Sequence, residues 1–276
     1  MRKQISILVS ALLLLGLAAC QRESIPVQEE SCEVSFNVGL DVTKSIGDGS
    51  LATRLYVSIF DPENKNAQVG ETLALDSDTQ TWTPSFTLIR GKNYVAAFWA
   101  QNPASGALYS LDGAVVTMNQ FALENVEGQD FSDAFFAGQE FIAGEKIPAV
   151  QLSRPFAQVN VLVSATEHAT LVAEGAKATQ FDITFSDGKG FPTGLDLLTG
   201  EVIRTATSSK QGFGSADTPL RTLADGSNTY IATAYVLCGT SPTTVKLDFT
   251  FGTHAKSVGD VSIPRNRQTK IIGSIL

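Results

Sequence analysis

The chain has 276 residues, is 43 % hydrophobic and 17 % charged, and carries a formal charge of −8. So much apolar material supports packed cores and excludes a largely disordered chain. The acidic balance, with no basic cluster anywhere, argues against a nucleic-acid partner and against charge-driven adhesion to anionic lipid.

In chain order, Met1-Arg2-Lys3 is a positive start, an apolar run follows from Ile5 to Ala18, and Leu17-Ala18-Ala19-Cys20 closes it. This is the pattern of a secretory leader, and its run is too short for a comfortable membrane span. A Cys directly after Leu-Ala-Ala resembles a bacterial lipobox. That resemblance implies that residues 1–19 form a lipoprotein signal peptide and that Cys20 becomes the lipidated (palmitate-bearing) N-terminus. Arg2 and Lys3 would leave with the leader, taking the formal charge from −8 to −10. Residues 20–31 are polar and acidic with Pro26, and read as a flexible tether, with Cys32 still in this polar leader.

Period-two patterning then takes over. Val34, Phe36, Val38 and Leu40 alternate with Ser35, Asn37 and Gly39, and Leu55, Val57 and Ile59 with Tyr56, Ser58 and Phe60. Tyr94 to Trp99 is continuously apolar, as expected of a strand buried on both faces. Alternation returns at Val159–Val163, Phe181–Phe185 and Val245–Phe251, and Thr269 to Leu276 is an apolar terminal run. Gly, Asn, Asp and Pro clusters punctuate these runs, among them Asp61-Pro62-Glu63-Asn64 and Asp187-Gly188-Lys189-Gly190. Glu167 to Gly175 is a weak helix or turn candidate, and the Phe-rich stretch from Phe121 to Phe141 shows no clear alternation and reads as a long connection with short strands. The expected fold is all-β, with two antiparallel sandwich domains at residues 32–149 and 150–276.

Catalytic and metal-binding signals are weak. His168, placed in a loop, and His254 have no partner at metal-ligand spacing, and no nucleophile elbow is present. Gly212-Phe213-Gly214 lacks the context of a phosphate loop, and Asp61, Glu63 and Asn64 fit a turn better than a cation site. Cys32 and Cys238 either form one disulfide or stay reduced; both readings remain open. Trp99 reads as core, and Trp82 as core or as a sugar platform. No catalytic residue, cofactor or metal is expected.

Four stretches together resemble the fimbrillin family of Bacteroidales, lipoproteins of the type V pilin kind. They are Thr43-Lys44-Ser45 after the lipobox and first strand, Asp133-Ala134-Phe135-Phe136, Leu152-Ser153-Arg154-Pro155-Phe156-Ala157-Gln158-Val159, and Pro264-Arg265-Asn266-Arg267-Gln268-Thr269-Lys270-Ile271-Ile272-Gly273. The resemblance implies two transthyretin-like sandwiches and a stalk, tip or anchor subunit of a surface fimbria, lipid-anchored at the outer membrane. It implies a trypsin-like protease cutting after Lys44 or Arg54 and the loss of a strand holding Val34, Phe36, Val38 and Leu40. Other pilus subunits would then bind by β-strand addition, with Ile271, Ile272, Ile275 and Leu276 as a candidate donor strand. A glycan-binding surface lipoprotein is the alternative reading.

Overall fold

The alternating runs become strands because each exposes one apolar face that only a facing layer can bury. The computed structural model describes residues 29–42, 49–105, 108–118, 133–176, 178–205 and 227–276. Cys20, Lys44, Phe121 to residue 132, the Gly212–Gly214 stretch and most of the tether lie outside them.

The opening segment differs from expectation in one respect. Val34, Phe36 and Val38 are buried and Leu40 half-buried, as the alternation demands. Yet the run is not one strand: β1 (Ser31–Ser35) and β2 (Val38–Leu40) are separated at Phe36-Asn37. Cys32, expected in the polar leader, lies inside β1, half-buried against the core. β3 (Arg54–Asp61) and β4 (Ala67–Asp76) follow, then β5 (Thr81–Trp82), β6 (Ser85–Ile89) and β7 (Asn93–Gln101). Between β3 and β4 the Asp61 carboxylate accepts from the Glu63 N–H at 3.1 Å and caps a short turn started by Pro62. Lys92 Nζ, 2.7 Å from Asp61 Oδ2, holds that carboxyl below its ordinary pKa.

After β8 (Tyr109–Asp112) and β9 (Val115–Met118) comes β10 (Ala134–Ile142). The sequence showed no alternation here because β10 has two apolar faces: Phe135 and Phe141 enter one core while Ala134 and Phe136 enter another. β10, β7, β3 and β4 form an antiparallel sheet in that order. β7 divides the same way, with Tyr94, Ala96, Phe98 and Ala100 on one face and Val95, Ala97 and Trp99 on the other.

The rest of the chain comprises β11 (Val150–Leu152), β12 (Phe156–Ser164), α1 (Ala165–Ala173), β13 (Ala178–Phe185), β14 (Phe191–Asp196), β15 (Val202–Thr205), β16 (Asn228–Leu237), β17 (Thr243–Phe251), β18 (His254–Ile263) and β19 (Arg267–Ile272). α1 starts where Ser164 Oγ accepts from the Glu167 N–H at 3.1 Å, so His168 is helical rather than in a loop. Sheets β13-β17-β18 and β16-β12-β19 enclose a third core around Val159, Val161, Ile183, Val245, Leu247 and Ile263.

Two pairings are parallel, β2 with β11 and β12 with β19, where purely antiparallel sheets were expected. Each joins segments far apart in sequence, so no hairpin constrains their direction. Two pairings also cross residue 150: β11 joins β2, and β14 joins β9. Contacts gather Cys32–Leu276 into one unit.

Candidate functional site

The opening segment occupies a slot whose walls come from five strands. β1 pairs with β6, while β2 lies between β5 and β11. The break between β1 and β2 is itself bonded, the Phe36 N–H to Pro84 O at 3.0 Å and the Val150 N–H to Asn37 O at 2.8 Å. The Asp41 N–H closes the segment on Leu152 O at 2.8 Å. Inside the slot Phe36 is 1 % exposed and packs edge-on against Phe98 and Phe141, with ring centroids 5.3 and 5.1 Å away. Trp82 faces Val38 across the β2–β5 pair and is 4 % exposed, which removes it as a surface sugar platform; Trp99 is core too, its Nε1 donating to Gln101 Oε1 at 2.7 Å.

Of the two basic residues following this segment, only Arg54 is described. It opens β3, where its backbone is paired on one side to Asp76 and on the other to Gln101. Its guanidinium donates to both Asp76 oxygens, each at 2.8 Å, and holds that carboxyl below its ordinary pKa. Before it in sequence, Gly49 has a φ of +70° and admits no side chain, since a Cβ there would lie 2.8 Å from Phe135 Cζ.

The C-terminal residues are held differently. β19 runs parallel to β12 from Ala157↔Arg267 to Leu162↔Ile272. Ile271 is half-buried, Ile275 buried, and Ile272 and Leu276 are exposed. Beyond the ladder, Glu167 Oε1 accepts from the Ile275 N–H at 2.5 Å, the Leu276 N–H at 3.0 Å and Ser274 Oγ at 3.1 Å. Burial works to raise the Glu167 pKa, but the Leu276 and Ile275 N–H groups and Ser274 outweigh it and leave it lowered. Nothing in the local sequence pattern marks Glu167 for this role, because its partners lie at the far end of the chain.

Three of the four sequence stretches singled out above meet at β10. Arg154 forks onto Asp133, Nε to Oδ1 at 2.7 Å and Nη2 to Oδ2 at 2.6 Å, with both side chains buried. The same guanidinium lies over Phe135 at 4.4 Å, while Arg265 lies over the neighbouring Phe136 at 5.0 Å and donates to Gly200 O at 3.1 Å. Successive strand residues point to opposite faces, so each arginine covers one face of β10. The paired backbone bonds between Phe136 and Ser153, 2.9 and 3.0 Å, fasten the start of β10 to the residue after β11. The frame around the slot is thus fixed by residues outside the slot.

Cys32 and Cys238 are both free thiols, and burial pushes the Cys238 thiol up to about 12. His254 Nε2 sits 3.0 Å from Glu174 Oε2. Among the described residues no group of three or more His, Cys, Asp or Glu is placed to hold a metal ion, and no helix is long and apolar enough to cross a membrane.

A family of unknown function, DUF6562, matches residues 26–276. No curated protein matches the chain. Among solved structures, a candidate adhesin from Bacteroides thetaiotaomicron superposes with a TM-score of 0.52 at 8 % identity, covering 82 % of this chain and 79 % of its own. A second candidate adhesin, from Bacteroides ovatus, gives 0.50 at 8 % identity, with 91 % and 94 % covered. The tip fimbrial protein Mfa3 of Porphyromonas gingivalis gives 0.46 at 9 % identity, with 90 % and 96 % covered. The all-β fold is therefore shared with the two candidate adhesins along most of the chain.

Proposed function

We propose that this chain, which belongs to the DUF6562 family, is a structural subunit of a cell-surface fimbria, exported as a lipoprotein through Cys20 and assembled by exchange of its opening segment. The observation that carries the reading is the burial of Val34, Phe36 and Val38 in a segment followed in sequence by Lys44, the one basic residue between Asp41 and Arg54. A trypsin-like cut after Lys44 frees residues up to that point. Losing three fully buried side chains at about 1.5–3 kcal/mol each leaves on the order of 5–9 kcal/mol of burial unmet, together with unpaired edges on β6, β5 and β11. A strand from another subunit meets both needs by β-augmentation, and repeated head-to-tail addition grows a fibre rather than a closed ring.

Arg54 fits the cut less well, since its strand is bonded on both edges and its side chain is clamped. In this reading the chain comprises two sandwich halves, residues 32–149 and 150–276, and the slot is walled by the first half together with β11 of the second. The terminal residues Ile271, Ile272, Ile275 and Leu276 serve as donor only by leaving β12 and Glu167. The fold shared with two candidate adhesins supports a surface role. The test is incubation of the mature chain with a trypsin-like protease. Ladders on an unheated denaturing gel and fibres by electron microscopy are expected, and clipped chains that stay monomeric overturn the proposal.

A second reading, glycan binding at the cell surface, draws on a cleft of about 740 Å³ lined by Asp187, Lys189, Glu201, Arg204, Ser241 and Thr243. Carboxylates, cations and hydroxyls together suit sugar hydroxyls. Calorimetric titration with neutral polysaccharides tests it, with heat lost in Glu201→Ala as the expected result and no heat in the unaltered chain as the refuting one.

A further inference from the structure

The slot is not a uniform apolar trough. Its backbone donors and acceptors on Pro84, Val150 and Leu152 serve any extended strand, so they confer affinity without selectivity. Selectivity has to come from side-chain pockets, and these are unequal. Val34 and Val38 are buried at either end, Val38 opposite Trp82 of β5, and both places are filled by a small aliphatic side chain. Between them Phe36 is ringed by three aromatics from three different strands: Phe86 of β6 at 6.3 Å, Phe98 of β7 at 5.3 Å and Phe141 of β10 at 5.1 Å. All three meet it edge-on, with interplanar angles of 76°, 75° and 88°.

None of these rings belongs to the segment that would leave. Two of their strands, β7 and β10, lie paired in the four-stranded sheet, and the start of β10 is pinned by the Arg154–Asp133 fork. Phe98 and Phe141 are therefore held independently of the present occupant, while Phe86 stands on β6, whose sheet partner is β1, and is the ring that closes again on an incoming strand. An aliphatic side chain there leaves a void lined by rings that cannot all close on it.

We propose that the vacated slot selects its incoming strand by one large aromatic side chain at the place of Phe36, with aliphatic residues two positions to either side. The inference rests on the strand-exchange reading and names its partner by chemistry: a strand of another subunit with an aliphatic-x-aromatic-x-aliphatic pattern, running parallel to β11. Residues 269–276 of this chain, Thr-Lys-Ile-Ile-Gly-Ser-Ile-Leu, contain no aromatic and do not match. A second copy offering that stretch is thus a poor donor, and a different subunit is the fitting one.

The experiment uses the mature chain cut after Lys44 and still holding its own fragment. Labelled peptides are added in excess and their entry is followed by fluorescence anisotropy. The peptides are residues 31–44 with Cys32→Ser, the same with Phe36→Leu or Phe36→Ala, and residues 269–276. The expected order is tight binding of the Phe36 peptide, about tenfold weaker binding with Phe36→Leu, a loss of about a hundredfold or more with Phe36→Ala, and no measurable entry of 269–276. Equal entry of the Phe36 and Phe36→Ala peptides overturns the aromatic anchor and leaves strand exchange standing. Failure of every peptide to enter overturns strand exchange itself.

Discussion

The two ends of the described chain are both extended segments, and they are held by different means. The opening segment has short ladders, interrupted at Phe36-Asn37, but drives three side chains fully into a core. β19 has an unbroken parallel ladder with β12, while Ile272 is 60 % exposed and the following residues are tied by their N–H groups to one carboxylate. Removing the first leaves an apolar slot shaped by three buried side chains; removing the second leaves unpaired backbone along β12 and the place of one buried side chain, Ile275. Strand exchange needs the first kind of vacancy, because only a shaped slot can tell one incoming strand from another.

The contrast is sharpest at Phe36. Phe36→Ala should lower the unfolding free energy by about 3–5 kcal/mol, measured by urea titration, because the surrounding rings cannot collapse onto the void. A loss below 1 kcal/mol would make the two ends alike and break the comparison. Arg154→Ala probes the frame rather than the occupant. It leaves Asp133 buried without its fork and should cost about 3–5 kcal/mol, with the β10–β11 junction losing amide protection as the same measurement's local readout.

How much of this was legible in the sequence follows the range of each interaction. Period-two alternation in residues 34–40 foretold which side chains are buried, since that depends only on neighbours along the chain. The jump of that segment from β6 to β5 and β11 was not legible, because sheet partners are set by remote segments. β10 was hidden for the opposite reason: Phe135 and Phe136 serve two cores, so a strand there has no polar face to alternate with. Arg154 and Asp133 looked like ordinary charges within larger motifs, and only the fold shows them as one buried pair. The Glu167 contact with the chain's end spans 107–109 residues of sequence and leaves no local pattern at all.

At the other end, Glu167→Gln should cost about 1 kcal/mol, since a neutral amide accepts from the Ile275 and Leu276 N–H groups more weakly and the site is partly open to water. Its clear signature is faster amide exchange at Ile275 and Leu276 with β1 and β2 unchanged. The pH dependence has a definite sign. The folded-state pKa of Glu167 is lowered, so its contribution is complete above the ordinary carboxylate value of about 4.3 and fades as the pH falls through the folded value. Protection of the last two amides, corrected for the intrinsic pH dependence of exchange, should accordingly fall on acidification in the unaltered chain and stay flat in Glu167→Gln. Smallest of all, Ile272→Ala should change stability by no more than about 0.5 kcal/mol, as expected of a side chain that stays in water.

The central claim is that the opening segment departs and a neighbour's strand takes its place. N-terminal sequencing and intact-mass measurement of the subunit recovered from assembled surface fibres address it most directly. The account predicts a chain beginning at Ser45, lacking residues 31–44; a fibre subunit that retains a lipidated Cys20 and its own Phe36 would contradict it.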